Sequence, residues 1–308
     1  MRRMHLATFE HDPAGIEDQS TFLYDFANYW GVGFSTSTGL SAGCLNLVLE
    51  GVGAHSIERL ANSASSLGVS VCMVVTENWA FGIDGDVRLN GLPCFGHRSQ
   101  EAGVLVPSLR LEQLVGLALV AESIVVLGGT PSATDIKQLF PRRDVYSLGY
   151  VPVKMENLID EGHITFDLFF SVPSQAALTK YRKQVLKQLK QLGVVVHVGV
   201  GLDFEEWALA ASQARAVLDV PQYPQWPWES PMRIARAVRA NRRTLSLRPI
   251  GQGQSEWGPP SVQWFSSVED LALVISSDFE WQLVCTHERM PPLDSEQFLR
   301  RLDFQTVS

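Results

Sequence analysis

The chain has 308 residues, 45% of them hydrophobic and 19% charged, a composition that supports sizeable cores and excludes a globally disordered protein. At about 100–200 residues per domain, two domains are expected. The net charge of −8 argues against broad non-specific nucleic-acid binding, which needs basic surface to displace counterions.

In chain order, Met4 to Phe9 is predicted as a first strand. Asp18 to Trp30 has helical spacing, with Phe22, Phe26 and Tyr29 on one face. Residues 31–43, rich in glycine and serine, are predicted as a loop. Leu45 to Leu49 is a buried-strand run. Ser56 to Leu67 is a helix with Ser56 as N-cap and Gly68 at its end. Val69 to Val75 is an apolar, β-branched run expected in the middle of a parallel sheet. Leu111 to Ala121 is a helix and Ser123 to Leu127 a strand. The second half repeats the pattern. Strands are expected at Phe166–Phe170, Val194–Val198, Ala216–Val220 and Thr244–Leu247. Helices are expected at Ser174–Leu192, Phe204–Ala214, Pro231–Ala240 and Val268–Ile275, with helical potential again at Ser295–Leu302. Strands alternating with helices imply crossover units and a mostly parallel sheet.

The junction is placed near Leu148–Pro152, giving domains of residues 1–150 and 151–308. The expected fold class is therefore α/β, two doubly wound Rossmann-like domains facing across a cleft, with ligands at the carboxyl ends of the strands. The four cysteines, Cys44, Cys72, Cys94 and Cys285, show no paired spacing and suggest reduced thiols in a cytoplasmic protein. No metal-ligand spacing occurs. No apolar run approaches the ~18 residues of a membrane span, and the N-terminal apolar stretch is too short for a signal-peptide core.

The most informative segment follows the strand ending at Val220. It is rich in proline and aromatics (QYPQWPWESP) and runs into a helix. Ser230 followed by Pro231 is a strong helix start, with serine as cap and proline at the first helical position. The amides of Met232 and Arg233 then sit at the positive end of the helix dipole, a setting suited to an anion such as a diphosphate. Arg233 can add a charge-assisted contact, and Glu229 can accept hydrogen bonds from sugar hydroxyls. The bland alternative is a surface pair of Glu229 and Arg233 four residues apart. Trp226 and Trp228 are either packing residues or a stacking platform for a base.

From Phe166 onward the chain resembles the C-terminal domain of GT-B glycosyltransferases, especially the group similar to spore-maturation protein CgeB and other family 1-like members. The matching stretches are FDLFFS with Tyr181-Arg182, GVVVHVGVG, ARAVLDV, and Glu229 with Arg233. In the first half, LVLEG at 47–51, VVTE at 74–77 and SLGYVP at 147–152 resemble that group's strand ends and interdomain crossing. The resemblance covers roughly residues 44–275. It implies a nucleotide-diphosphate-sugar donor held by the C-terminal domain through Arg182, Lys183, Glu229, Ser230, Met232 and Arg233. It implies sugar transfer to a protein, peptide or metabolite acceptor on the N-terminal domain, with neither a bound cofactor nor an essential metal. It also leaves open a tail after residue 276 that crosses back onto the first domain. Two departures stand out. No second glutamate lies eight positions after Glu229, where Ala237 stands. The loop after Phe170 reads Ser171-Val172-Pro173-Ser174, where a glycine is usual.

A transferase of the inverting kind needs a base near the acceptor hydroxyl. His11 and Asp12, after the first strand, and Glu77, after the strand ending at Val75, are the catalytic candidates. The alternatives are an exposed loop pair and a helix-capping carboxylate. Two rival functions remain: a catalytically silent binding or scaffold subunit, motivated by the two departures, and a sugar-nucleotide epimerase. Oligomeric state stays open, a homodimer included.

Overall fold

The computed structural model describes residues 2–11, 13–77, 79–81, 85–89, 92–95, 107–128, 132–151, 164–222, 224, 230–240, 242–248, 262–277 and 295–304. The chain divides into two compact units, Met1–Val151 with Arg289–Ser308, and Pro152–Glu288. The boundary between them lies at Val151 and Pro152, and Arg289–Ser308 groups with the first unit.

The elements of the first unit are β1 (Arg3–Ala7), α1 (Glu17–Tyr29), β2 (Gly33–Ser37), β3 (Leu45–Leu49), α2 (Ala54–Leu67), β4 (Val71–Val75), β5 (Trp79–Phe81), β6 (Val87–Leu89), β7 (Leu92–Pro93), α3 (Pro107–Val120), β8 (Ser123–Leu127), α4 (Ser132–Leu139) and β9 (Asp144–Leu148). Six strands form a parallel sheet in the order β2-β1-β3-β4-β8-β9. Every residue of β3, β4 and β8 is buried, as expected for central strands covered on both faces. The apolar run alone therefore sufficed to mark them. β5, β6 and β7 make a small antiparallel sheet that the sequence reading did not anticipate.

Three local expectations are corrected. The stretch 31–43 is not all loop: Gly33–Ser37 is an edge strand, polar because its far side faces solvent. It is held by buried His5, whose ring bonds Ser35 Oγ (2.9 Å) and Ser37 Oγ (3.0 Å). Asp144–Leu148, a stretch to which the sequence reading assigned no element, is the other edge strand. Helix α2 begins at Ala54, two residues before the serine assigned as its cap, so the hydroxyl of Ser56 is spent on Glu10 instead. Gly68 does end that helix, in the left-handed conformation with φ 62°.

The second unit contains β10 (Phe166–Val172), α5 (Lys180–Gln191), β11 (Val196–Val200), α6 (Phe204–Ser212), β12 (Ala214–Asp219), α7 (Pro231–Arg239), β13 (Arg243–Leu247), β14 (Val262–Phe265) and α8 (Val268–Ser276). Its five strands are parallel, in the order β11-β10-β12-β13-β14. Apolar clusters cover both faces: Leu168, Phe170, Leu218 and Leu245 on one, Phe169, Val217 and Trp207 on the other. Helix α5 starts six residues later than expected, at Lys180, capped by Thr179, whose hydroxyl accepts from the Arg182 amide; a 3-10 turn occupies Gln175–Ala177. Asp203 and Glu206 form a reciprocal capping box on α6. The final helix, α9 (Ser295–Phe304), belongs to the first unit. Its Phe298 is fully buried, with ring centroids 5.6 Å from Tyr146 and 6.2 Å from Phe26.

Both sheets share one winding. The first strand lies between the second and the third, and the order then runs outward. Crevices form where winding reverses, outside the carboxyl ends of β1 and β3 in one unit and of β10 and β12 in the other. Ligands of doubly wound sheets bind at such points.

Candidate functional site

At the reversal point of the first unit, the β1 exit is tightly turned. Phe9 has φ 46°, a left-handed conformation that a bulky residue adopts only when its surroundings impose it. Two residues on, His11 is held by a bond from its amide to the Thr8 carbonyl (2.9 Å). Its ring bonds the backbone of Leu49, while Nε2 is buried without a hydrogen-bond partner. Burial is the main influence and lowers its pKa; the Leu49 bond opposes this and Arg110 adds to the lowering. A ring that donates to a carbonyl on one side and is kept neutral presents a bare lone pair on the other, the form a general base requires. Asp12, its companion in the sequence reading, lies outside the described residues.

The β3 exit supplies Glu50, a buried carboxylate that the sequence reading passed over. It collects four hydrogen bonds from the β4 exit: from the Thr76 amide (2.5 Å), Thr76 Oγ1 (3.1 Å), the Glu77 amide (2.6 Å) and the Trp79 indole Nε1 (2.8 Å). Next to it, Glu77 Oε1 accepts from Arg110 of α3 (2.9 Å), while its Oε2 is buried and accepts nothing. Burial, then the charge of Glu50, push the Glu77 carboxyl up to about 7, against the pull of Arg110. Arg110 lies against the backbone at Gly51, which has φ 91°; a Cβ there would stand 1.7 Å from a guanidinium nitrogen. The cluster thus holds a neutral imidazole and a carboxyl that titrates near neutrality, each with an open buried atom. Buried groups perturbed in this way are frequent where protons are transferred, and also occur in structural ion-pair networks. A cavity of about 450 Å³ lies at the amino end of the same sheet, against Ser70, Val71 and Glu122. Its walls bring no comparable set of ionisable groups together.

The reversal point of the second unit is built from cations. Asp219, the last residue of β12, is buried and binds Arg233 of α7 through Oδ1, while its Oδ2 accepts from Ser246 of β13 (3.1 Å). Arg248, after β13, is also buried; burial lowers its pKa and Asp219 raises it again. Arg182 of α5 donates to the carbonyls of Val220 (3.0 Å) and Ala177 (2.8 Å), and Thr179 Oγ1 donates to that of Gln222 (2.7 Å). These bonds tie the β10 and β12 exit loops together. The guanidinium carbons of Arg182 and Arg233 lie 5.6 and 5.7 Å from the ring centre of Phe170.

Ser230 caps α7 as expected, accepting from the Arg233 amide at 3.4 Å, with Pro231 in the first turn. That cap takes one of the two amides assigned to an anion and spares that of Met232, whose side chain is buried. Lys183 is exposed on α5. Glu229, Trp226 and Trp228 lie outside the described residues. Of the stretch expected as a loop without the usual glycine, Ser171 and Val172 are the last residues of β10, and Ser171 accepts from the Trp207 indole (2.8 Å). Asp219, Arg248, Glu50 and Arg110 were missed by the sequence reading. Asp219 and Glu50 carried a usable signal, a carboxylate at the very end of an apolar strand. Arg110 carried none.

No family model matches the chain, and no curated protein matches it in sequence. Solved structures similar to it include a Staphylococcus aureus TarM mutant in complex with fondaparinux, alpha-GlcNAc-glycerol and UDP, at 11% identity and a TM-score of 0.49, covering 87% of this chain and 56% of the other. The pneumococcal O-GlcNAc transferase GtfA in complex with UDP and GlcNAc is similar at 9% identity and a TM-score of 0.45, covering 87% of this chain and 58% of that one. Accessory secretory proteins 1, 2 and 3 of Streptococcus pneumoniae are similar at 10% identity and a TM-score of 0.43, covering 94% and 57%. The chain therefore spans less than two thirds of the length of each. Among the described residues no helix is long and apolar enough to cross a membrane.

Proposed function

We propose that the chain is a glycosyltransferase of the GT-B kind, using a nucleotide-diphosphate sugar bound by the second unit. The observation that carries this reading is the reversal point of that unit. There Arg233 and Arg248 converge on Asp219, at the carboxyl end of the sheet, beside a serine-capped and proline-started helix. Cations and a helix N-terminus at this location favour a diphosphate and the charge it gains on leaving. The Met232 amide and the Arg233 guanidinium are the proposed diphosphate contacts. Glu229 is the proposed contact to the sugar.

In the transfer step, an acceptor hydroxyl oxygen bonds to the anomeric carbon of the donor. The bond from that carbon to the diphosphate oxygen breaks, and the nucleoside diphosphate departs with the electron pair. The hydroxyl proton goes to His11 Nε2 or Glu77 Oε2, the two open acceptors of the cluster around Glu50 and Arg110. Nothing in the step calls for a metal, and no resident cofactor is proposed. The acceptor is a protein, peptide or small metabolite, and a cytoplasmic location is proposed with it.

A second reading is a binding subunit without turnover. Its support is that Arg182 is spent on two backbone carbonyls and Arg233 on Asp219, so both are committed within the protein. Thermal shift with UDP-, GDP- and TDP-sugars, followed by an assay of slow donor hydrolysis, separates the readings. Saturable stabilisation with hydrolysis that disappears in His11→Ala supports the transferase. Stabilisation without turnover, with or without acceptors, supports the binding subunit. Epimer formation from the donor alone points to an epimerase. Absence of stabilisation by any nucleotide sugar defeats both enzyme readings.

A further inference from the structure

We propose that Glu50 and Arg110 are positioning residues for Glu77: Glu50 fixes the turn that carries it, and Arg110 occupies one of its oxygens, leaving Oε2 to take a proton from a bound hydroxyl. The inference rests on the transferase reading only for the identity of that hydroxyl.

The geometry divides the work between the two. Glu50 leaves β3 and binds the amides of Thr76 and Glu77, the Thr76 hydroxyl and the Trp79 indole, so the β4 exit has a single register. A turn anchored by four bonds to one buried carboxylate has little freedom to swing the side chain it bears. Arg110 reaches Glu77 from α3, at 2.9 Å, and Gln113 Oε1 at 3.3 Å, and its guanidinium fits only because position 51 lacks a Cβ. Glu77 Oε1 is thereby committed, and Oε2 is the buried oxygen with no partner. The same two residues act oppositely on the charge of Glu77: Glu50 disfavours the anion and Arg110 favours it. The ionisable groups around the cluster are Glu50 from the β3 exit, Arg110 from α3, and His11 and Glu10 from the β1 exit. Glu10 is turned toward α2, where it accepts from the Gly53 amide and from Ser56 Oγ. His11 is influenced by Arg110, Glu10 and Glu50.

The test is a carbon-13 NMR titration of the Glu77 side-chain carboxyl in the full chain without ligand, assigned by its loss in Glu77→Gln. In the wild type the midpoint is expected near 7. It should fall in Glu50→Gln, which keeps the shape and removes the charge, and rise in Arg110→Gln. Arg110→Lys, which keeps the charge, should cancel most of that rise. Thr76→Val, which removes one bond to Glu50 but no charge, should leave the midpoint where it is. A merely structural role would loosen the turn in every variant without opposite movements. Unmoved midpoints, or movement in one direction for both charge-removing variants, overturn the proposal. If Glu50→Gln does not fold, Arg110→Gln decides alone: a rise supports the proposal and no rise overturns it. Because no nucleotide is present, failure here leaves donor binding by the second unit intact, and failure of donor binding leaves this titration standing.

Discussion

The two reversal points are the same construction with opposite chemistry. Each lies outside the first and third strands of a parallel sheet wound in the same order. In the first unit the exits carry Glu77 and His11, whose proton affinities burial shifts, with Glu50 holding the turn and Arg110 binding Glu77. In the second the exits carry Arg182, Arg233 and Arg248, groups that hold charge permanently, with one aspartate to gather them. The backbone that makes a crevice does not choose what the crevice does. The choice lies in which side chains stand one or two positions past each strand end. The proposed sugar transfer needs both a proton acceptor and a place for the departing diphosphate.

The strongest way to break the contrast is Asp219→Ala. Removing the carboxylate takes the ion-pair partner from half-buried Arg233 and a neighbouring negative charge from buried Arg248, and losing one member of a buried pair costs about 3–5 kcal/mol. Denaturant unfolding should show this, and nucleotide-sugar stabilisation should disappear with it. Glu50→Ala comes next. Three buried N–H donors lose their acceptor, at about 1 kcal/mol or more each. Urea midpoints of the two alanine variants compare the two ends directly.

The proton-handling character of the first unit predicts a pH dependence. The Glu77 pKa is raised from 4.5 to about 7 in the folded chain, so the native state binds the proton more tightly than the unfolded one. Stability from this group is intact below pH 4.5 and declines as pH rises to about 7, by about 3 kcal/mol in all. His11, whose pKa is lowered, acts with the opposite sign: its contribution is present above its unfolded pKa and is lost as pH falls through the region below it. The clean measurement is the stability difference between wild type and Glu77→Gln from pH 4.5 to 8. It should move in favour of the glutamine variant as pH rises. A flat difference would remove Glu77 from the proton-handling set.

Two smaller changes sharpen the comparison. Gly51→Ala places a Cβ on the Arg110 guanidinium at φ 91°, a strain of about 1–3 kcal/mol, and should alter the Glu77 titration along with stability. Ser230→Ala removes the α7 cap, with an expected loss of about 1 kcal/mol in melting experiments. Its effect belongs to the second unit alone, so the Glu77 titration should not respond.

The amino-acid order determined much of this by itself. Apolar runs such as VCMVV and SIVVL could be nothing but strands covered on both faces, and Ser230-Pro231 marked a helix start because cap and φ restriction act within a few residues. His11 and Glu77 were legible for the same reason, being polar residues just past a strand end. Edge strands were not: Gly33–Ser37 is polar because one side meets solvent, and only its pairing with β1 and the bonds to His5 make it a strand. The partners Glu50, Arg110, Asp219 and Arg248 also depended on tertiary structure. Glu50 and Glu77 are 27 residues apart in bonding, and Arg110 reaches Glu77 across 33. Local pattern fixes which residues leave a strand, but only the packing of the third element against the first two decides what they meet. That meeting, through burial and neighbouring charge, gives a common glutamate a proton affinity suited to chemistry.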